Sequence, residues 1–147
     1  MAFYICPNCK QRAIDEDGRD GLTHQPVGCT RCGFGFLFEV LEDYYPRPGT
    51  GMVVCDAERR IIAVGRGVFE LTGHHEAELL GQDVTEALAF NGFAEDDPAA
   101  ISLEWGVRQL GRELTVVTSS GGYREVVVDY FPAYDDDGGL LVAFAPR

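Results

Sequence analysis

Positive charge is scarce in this sequence. Its 147 residues include only 12 lysines and arginines against 24 aspartates and glutamates, which gives a net charge of −12. The acidic excess runs through both the first 45 residues and the remainder of the chain. Proteins that bind nucleic acids neutralise the phosphate backbone with clustered lysine and arginine side chains. We therefore expect no nucleic-acid partner.

Long apolar runs and export signals are also missing. No stretch approaches the roughly 20 apolar residues that a helix needs to cross a membrane. No basic amphipathic segment predicts attachment to a membrane surface, and no apolar signal segment precedes the first cysteine, Cys6. The sequence therefore predicts a soluble, cytoplasmic protein with no membrane partner.

Catalytic patterns are absent as well. Only three histidines occur, two of them adjacent at His74 and His75, and no motif pairs a nucleophile with a base. Neither a G-x-S-x-G elbow nor a phosphate-binding glycine loop is present. We expect a protein that binds, with no enzymatic activity and no catalytic residues.

Cysteine, by contrast, occurs in a chemically specific pattern. Two C-x-x-C pairs, Cys6-Pro7-Asn8-Cys9 and Cys29-Thr30-Arg31-Cys32, lie within the first 32 residues. A two-residue spacer lets both sulfurs of a pair face one ion at about 2.3 Å, while N–H groups of the loop donate hydrogen bonds to the thiolates. The four residues predicted to form a tetrahedral metal site are Cys6, Cys9, Cys29 and Cys32.

Three chemistries compete for these four thiols. Two disulfides are disfavoured because Cys55 makes the cysteine count odd and no export signal is present. Zinc in a closed four-thiolate shell has a structural role, since it has no redox chemistry and no open coordination position there. Iron in the same shell makes a rubredoxin-like redox or electron-transfer module, which is the first alternative. We predict structural zinc.

The two cysteine loops resemble the knuckles of zinc ribbons, and the resemblance covers about residues 1–42. Gly33 keeps the glycine that often follows a knuckle, whereas Lys10 replaces it after the first one. A segment this short cannot build a sufficient apolar core, so zinc would supply the missing folding energy. Zinc ribbons often bind DNA or RNA, and a nucleic-acid-binding ribbon is the second alternative, which the acidic charge disfavours.

An apolar stripe and a linker follow the second cysteine pair. Phe34, Phe36, Phe38 and Val40 alternate along one side of a predicted strand. This stripe either packs onto the rest of the chain or a second subunit, or it docks a partner protein, so we expect self-association or a protein partner. Two prolines and two glycines then predict a linker over residues 43–51. We expect the domains on either side of it to unfold independently.

The remaining residues, 52–147, predict two strands, four helices and three strands. A hairpin spans residues 52–64, and a helix that begins at Asp97 extends to Leu110, with Ala100, Leu103 and Val107 on its apolar face. Strands follow at residues 113–119, 123–131 and 140–145. This order predicts an α+β fold, a five-stranded antiparallel sheet with helices on one face.

Residues 52–147 resemble a PAS domain. The resemblance rests on the hairpin turn 56–62, on the phrase Phe69-Glu70-Leu71-Thr72-Gly73-His74 with Leu79-Leu80-Gly81, and on the turn Asp136-Asp137-Gly138-Gly139. It implies a sheet that cups a small cavity against the helices, used to sense ligands or to bind other proteins. Residues 83–90 contain no cysteine and residues 98–110 no histidine, so neither a photocycling flavin nor a haem is expected. We expect His74 and His75 to be exposed loop residues.

Strand alternation predicts which side chains face that cavity. They are Leu114, Val116, Val126, Val128 and Tyr130 from strands, with Phe69 and Trp105 from helices. The same apolar set is also what a filled core requires, so both interpretations stay open. The sequence as a whole predicts a non-enzymatic regulatory module that senses an unidentified small molecule or docks a partner, with a structural zinc ribbon attached.

Overall fold

The computed structural model describes residues 2–15, 29, 31–32, 34, 37–41, 43–93, 96–133 and 138–147. The predicted stripe residue Phe36 and the first half of the predicted turn, Asp136-Asp137, lie outside this part of the chain. None of the helices that the structure describes is long and apolar enough to cross a membrane. The strands are β1 (Ala2–Ile5), β2 (Arg12–Asp15), β3 (Phe38–Val40), β4 (Gly51–Cys55), β5 (Ile61–Val64), β6 (Gln109–Val117), β7 (Tyr123–Pro132) and β8 (Leu140–Pro146). The helices are α1 (Gly67–Thr72), α2 (Glu76–Leu79), α3 (Val84–Leu88) and α4 (Pro98–Trp105).

The strands form two antiparallel sheets. The larger has the order β5-β4-β8-β7-β6, so the hairpin of β4 and β5 joins the last three strands of the chain. The smaller has the order β2-β1-β3 and belongs to the segment that carries the cysteine pairs. The predicted fold class, a five-stranded antiparallel sheet with helices, is confirmed.

Side chains of the larger sheet alternate between its two faces, and the helices cover one of them. On this inner face Val126, Val128 and Tyr130 of β7 lie beside Val142 and Phe144 of β8. All five are fully buried, together with apolar residues from all four helices. Period-two alternation thus places one apolar set against the helices and leaves a second apolar set on the opposite side.

The small sheet covers that opposite, outer face. Ile5 of β1 and both Phe38 and Val40 of β3 are buried in one cluster with side chains of the larger sheet. The residues of the larger sheet in this cluster are Met52, Val54, Ala63, Phe131, Leu141 and Ala143. The chain therefore has three layers, in which helices, the five-stranded sheet and the cysteine-bearing small sheet are stacked in that order.

The apolar stripe after the second cysteine pair packs within the chain. Phe38 and Val40 are buried, and Phe34 packs against the edge of the same cluster. Of the two interpretations of the stripe, packing onto the rest of the chain therefore accounts for its described residues. The regular strand is shorter than the alternation suggested, since β3 begins only at Phe38.

Residues 43–51, predicted as a linker, lie against the larger sheet. The ring of Tyr44 is buried, with its centroid 4.5 Å from that of Phe131. Thr50 is also buried, and its carbonyl oxygen accepts a hydrogen bond of 2.9 Å from Nζ of Lys10. The domain boundaries stay a prediction. The shared cluster, however, predicts that the small and large sheets unfold together, contrary to the independent unfolding expected from the sequence.

The helix boundaries follow their capping residues. Asp97 begins α4 by accepting a hydrogen bond from the Ala99 N–H, with Pro98 in the first position as predicted. The predicted extension of this helix to Leu110 is wrong. Gly106 adopts a left-handed conformation after Trp105 and ends the helix, and Leu110 instead lies in β6.

The shared cluster gives a direct test with phenylalanine substitutions. Phe38→Ala removes a fully buried ring between the two sheets and should lower the free energy of unfolding by about 3–5 kcal/mol. Phe69→Ala removes a half-exposed ring and should cost less than about 1 kcal/mol. Urea denaturation followed by circular dichroism measures both, with zinc release recorded by a coloured chelator. Separate transitions for zinc release and loss of strand structure would contradict the shared core.

Candidate functional site

The four predicted metal ligands converge. Cys6 follows β1 and Cys9 closes the same loop, and the Sγ atoms of all four cysteines lie within 4.8 Å of one another. Sγ of Cys6 lies 3.6 Å from that of Cys32, and Sγ of Cys9 lies 3.7 Å from that of Cys29. A tetrahedron with metal–sulfur bonds of 2.3 Å places its sulfurs about 3.8 Å apart. The donor set and its spacing therefore fit a single tetrahedral ion.

The first knuckle tolerates lysine where glycine is common. Lys10 adopts a left-handed conformation with φ of 64°, and its N–H donates a hydrogen bond of 2.8 Å to the carbonyl oxygen of Cys6. This conformation is costly for a residue with a side chain. The bond from Lys10 Nζ to the Thr50 carbonyl oxygen offsets part of that cost and ties the knuckle to the start of β4.

The thiols differ in their readiness to ionise. Burial raises the pKa of Cys6 to about 12, because the charged form loses its hydration. The Phe34 N–H and then the Asn8 side-chain amide, both hydrogen-bonded to Cys32, lower the pKa of that exposed thiol to about 6. Metal binding requires all four as thiolates and releases their protons. Of Cys6, Cys9 and Cys32, Cys32 is thus the thiol closest to the required state at neutral pH.

The first knuckle rests on the end of β5. A Cβ atom at Gly65 would lie 2.0 Å from the carbonyl oxygen of Pro7, so only glycine fits at this contact. Asn8 makes two hydrogen bonds to other parts of the chain. Its Oδ1 accepts a bond of 2.8 Å from the Arg66 N–H, just after β5, and its Nδ2 donates a bond of 3.6 Å to Sγ of Cys32. Sequence reasoning missed both Gly65 and Asn8, because their roles depend on contacts between distant parts of the chain.

The predicted cavity residues separate into two groups. Leu114, Val116, Val126, Val128 and Tyr130 lie together, buried on the inner face. Phe69 and Trp105 do not join them, since their side chains are 50% and 71% exposed. Phe69 points away from the core on α1, and Trp105 is the last residue of α4. A ligand-binding role for these seven residues stays a prediction.

Two further expectations concern single residues. Cys55 is buried, as predicted for a small apolar side chain in a strand, and burial raises the pKa of its thiol. The expected exposure of both histidines is correct for His75 and wrong for His74. Nε2 of His74 lies 2.9 Å from the carbonyl oxygen of Val117, so the ring links the end of α1 to β6.

The fold of the larger sheet and its helices is that of PAS domains. A PAS domain from Colwellia psychrerythraea is similar with a TM-score of 0.55 and 19% identity, and the match covers 67% of this chain and 86% of that chain. The light-state dimer of the fungal blue-light photoreceptor Vivid matches with a TM-score of 0.55 and 13% identity, over 71% and 81% of the two chains. The PAS domain of nitrogen regulation protein NR(II) from Vibrio parahaemolyticus matches with a TM-score of 0.52 and 14% identity, over 69% and 92%. No family model matches this chain, and no curated protein does.

The cysteine geometry predicts one zinc ion per chain. Elemental analysis of the folded protein should find it, and replacing Cys6 or Cys29 with serine should abolish stoichiometric zinc. Cys55→Ser is the matched control, since this cysteine lies apart in β4 and should leave the zinc content at one. Folded protein without metal, or with all four thiols oxidised, would contradict the site.

Asn8 should influence the metal without ligating it. Asn8→Ala removes the hydrogen bond to Cys32 Sγ and should weaken zinc binding about tenfold, as expected for partners of metal ligands. Competition with a chelator of known affinity measures this change. Asn91→Ala, an exposed asparagine outside the metal cluster, should have no effect. Equal zinc affinity in the two variants would show that the Asn8 bond does not support the site.

Proposed function

We propose that this chain is a non-enzymatic signalling module. Its PAS-fold domain senses a small ligand or docks a partner protein, and a structural zinc ion holds the ribbon against the outer face of the sheet. The fold, the four-thiolate cluster and the state of one buried tyrosine support this proposal. The tyrosine carries the ligand-sensing part of the proposal.

Tyr130 presents an unpaired polar group inside the helix-covered face. Its side chain is fully buried, and its hydroxyl has no hydrogen-bond partner among the described residues. Burial raises the pKa of this hydroxyl, so it is a neutral donor at physiological pH. An unpaired buried hydroxyl costs roughly 1–3 kcal/mol, so a ligand with a hydrogen-bond acceptor would gain that amount by meeting it. The inner face is therefore the proposed sensing site.

The four-thiolate site supports zinc as a structural ion. A closed shell of four cysteines leaves no coordination position for substrate. Structural zinc contributes about 10–16 kcal/mol of apparent binding energy, which a small three-stranded sheet needs in order to stay folded. When bound, the ion would be held by Cys6, Cys9, Cys29 and Cys32. The bound ion keeps Phe38 and Val40 on the outer face of the larger sheet.

The covered outer face limits where partners can dock. Because Met52, Val54 and Phe131 are buried under the ribbon, they are not available to a second subunit while zinc is bound. Self-association, predicted from the stripe, therefore requires another surface. Light scattering of the zinc-loaded protein at tens of micromolar measures it, and chelation of zinc would increase it if the uncovered face pairs.

Sensing on the inner face predicts a specific effect of Tyr130→Phe. A metabolite that binds should raise the stability by about 2.7 kcal/mol at a hundredfold excess over Kd, which a thermal-shift screen detects. Tyr130→Phe should then weaken binding about tenfold, while the ligand-free protein keeps or gains stability because the unpaired hydroxyl is gone.

Tyr123→Phe provides the control, since Tyr123 is 78% exposed and does not belong to the inner-face cluster. If the two tyrosine variants bind the ligand with equal affinity, the ligand does not bind at the inner face. Ligand sensing would be contradicted if a screen of metabolites and cofactors gave no hit and if a partner protein bound the Tyr130→Phe variant as well as the unsubstituted chain. The PAS-fold domain would then act by docking a partner protein alone.

A further inference from the structure

A surface groove lies where the first cysteine knuckle meets the larger sheet. Its volume is about 290 Å³, and it is bounded by the knuckle, the end of β5 and the connection from α1 to α2. The residues that matter for its chemistry are Asn8, Gly65, Arg66, Phe69, His75 and Glu76. None of them is a metal ligand or part of the buried inner face.

Aromatic rings form one wall of this groove. The Phe69 ring stacks against that of His75, with centroids 4.8 Å apart and an angle of 33° between the planes. Half of the Phe69 surface remains exposed even so. A flat apolar group placed on Phe69 would remove that surface from water, and aromatic pairs contribute beyond the area they bury.

Opposite charges border the same wall. Arg66 and Glu76 are both exposed, and neither side chain forms an ion pair or hydrogen bond with a residue that the structure describes. Other arginines in this acidic chain do pair, for example Arg59 with Asp83 and Asp97. The Arg66 backbone is held in place by its bond to Asn8. The groove thus offers one cation and one anion, neither paired with a described residue, beside an aromatic surface.

We propose that this groove binds a small zwitterion with an aromatic side chain, such as an aromatic amino acid. Its carboxylate would meet Arg66, its ammonium group would meet Glu76, and its ring would cover Phe69. A simple anion would be repelled by the net charge of −12, whereas a zwitterion carries no net charge. A simple cation would leave Arg66 without a partner. The site lies apart from the inner face and goes beyond the sensing proposed there.

Three related probes separate the two charges. L-tryptophan carries both, tryptamine carries only the ammonium group, and indole-3-propionate carries only the carboxylate. Binding of each to the zinc-loaded full chain is measured by calorimetry and by ¹H–¹⁵N spectra, in which the amides of Gly65 and Arg66 report on the groove. L-tryptophan should bind most tightly and shift these amides.

Charge-neutral variants test whether the ligand carboxylate binds Arg66 and the ligand ammonium group binds Glu76. Arg66→Gln should weaken the binding of L-tryptophan and indole-3-propionate about fivefold, the size of one well-formed exposed ion pair, and should not weaken the binding of tryptamine. Glu76→Gln should weaken the binding of L-tryptophan and tryptamine by a similar factor and should not weaken the binding of indole-3-propionate. Arg147→Gln and Glu104→Gln change the same charges at exposed positions outside the groove and should have no effect.

Three results would overturn the assignment. They are the absence of L-tryptophan binding, equal losses in the groove variants and their controls, and amide shifts confined to β7 and β8. The last result would place the ligand on the inner face and would leave the sensing proposal standing. Because all substituted side chains are exposed, the variants should fold as the unsubstituted chain does, which circular dichroism verifies.

Discussion

The packing of the ribbon on the outer face of the larger sheet is the contact on which the rest of this structure depends. That face carries Met52, Val54 and Phe131, which would be exposed to water if the small sheet were absent. Burial of apolar surface contributes about 25 cal/mol per Å². Separating the small sheet from the larger one would therefore cost free energy, because apolar side chains of both would be exposed to water. The buried apolar residues described in the small sheet, Ile5, Phe38 and Val40, share their cluster with this sheet. A metal ion bound by the four cysteines would therefore be energetically coupled to the packing of the small sheet on the larger one.

The junction between the knuckle and β5 brings the four-cysteine cluster and the groove together. Asn8 belongs to both, because its amide reaches Cys32 on one side and the Arg66 backbone on the other. The close approach of Pro7 to Gly65 leaves no room for a side chain between the two elements. Loss of the metal would therefore remove one wall of the groove. The inner face, which includes Tyr130, lies on the other side of the sheet, and its cluster contains no described residue of the small sheet.

Much of the fold follows from local sequence patterns. Alternation along β7 predicted a strand with Val126, Val128 and Tyr130 on one face, and Asp97 predicted where α4 begins. The end of α4 shows the limit of this approach. Val107 and Leu110 fit a helical period, but Gly106 ends the helix and Gln109 pairs with Tyr130 of β7. A pairing with a strand 21 residues further on is not visible in the helical periodicity itself.

The sequence by itself predicted the four candidate metal ligands, because a C-x-x-C loop sets the geometry of each pair within four residues. It also determined the order of strands and helices over residues 52–147. Only the tertiary structure decided that the small sheet covers the outer face and that Phe69 and Trp105 lie outside the inner cluster. It also decided that the Tyr130 hydroxyl is buried with no hydrogen-bond partner in the part of the chain that the structure describes. It likewise placed Asn8 against Arg66, 58 positions away. These features depend on contacts between residues far apart in the chain, which short-range patterns do not encode.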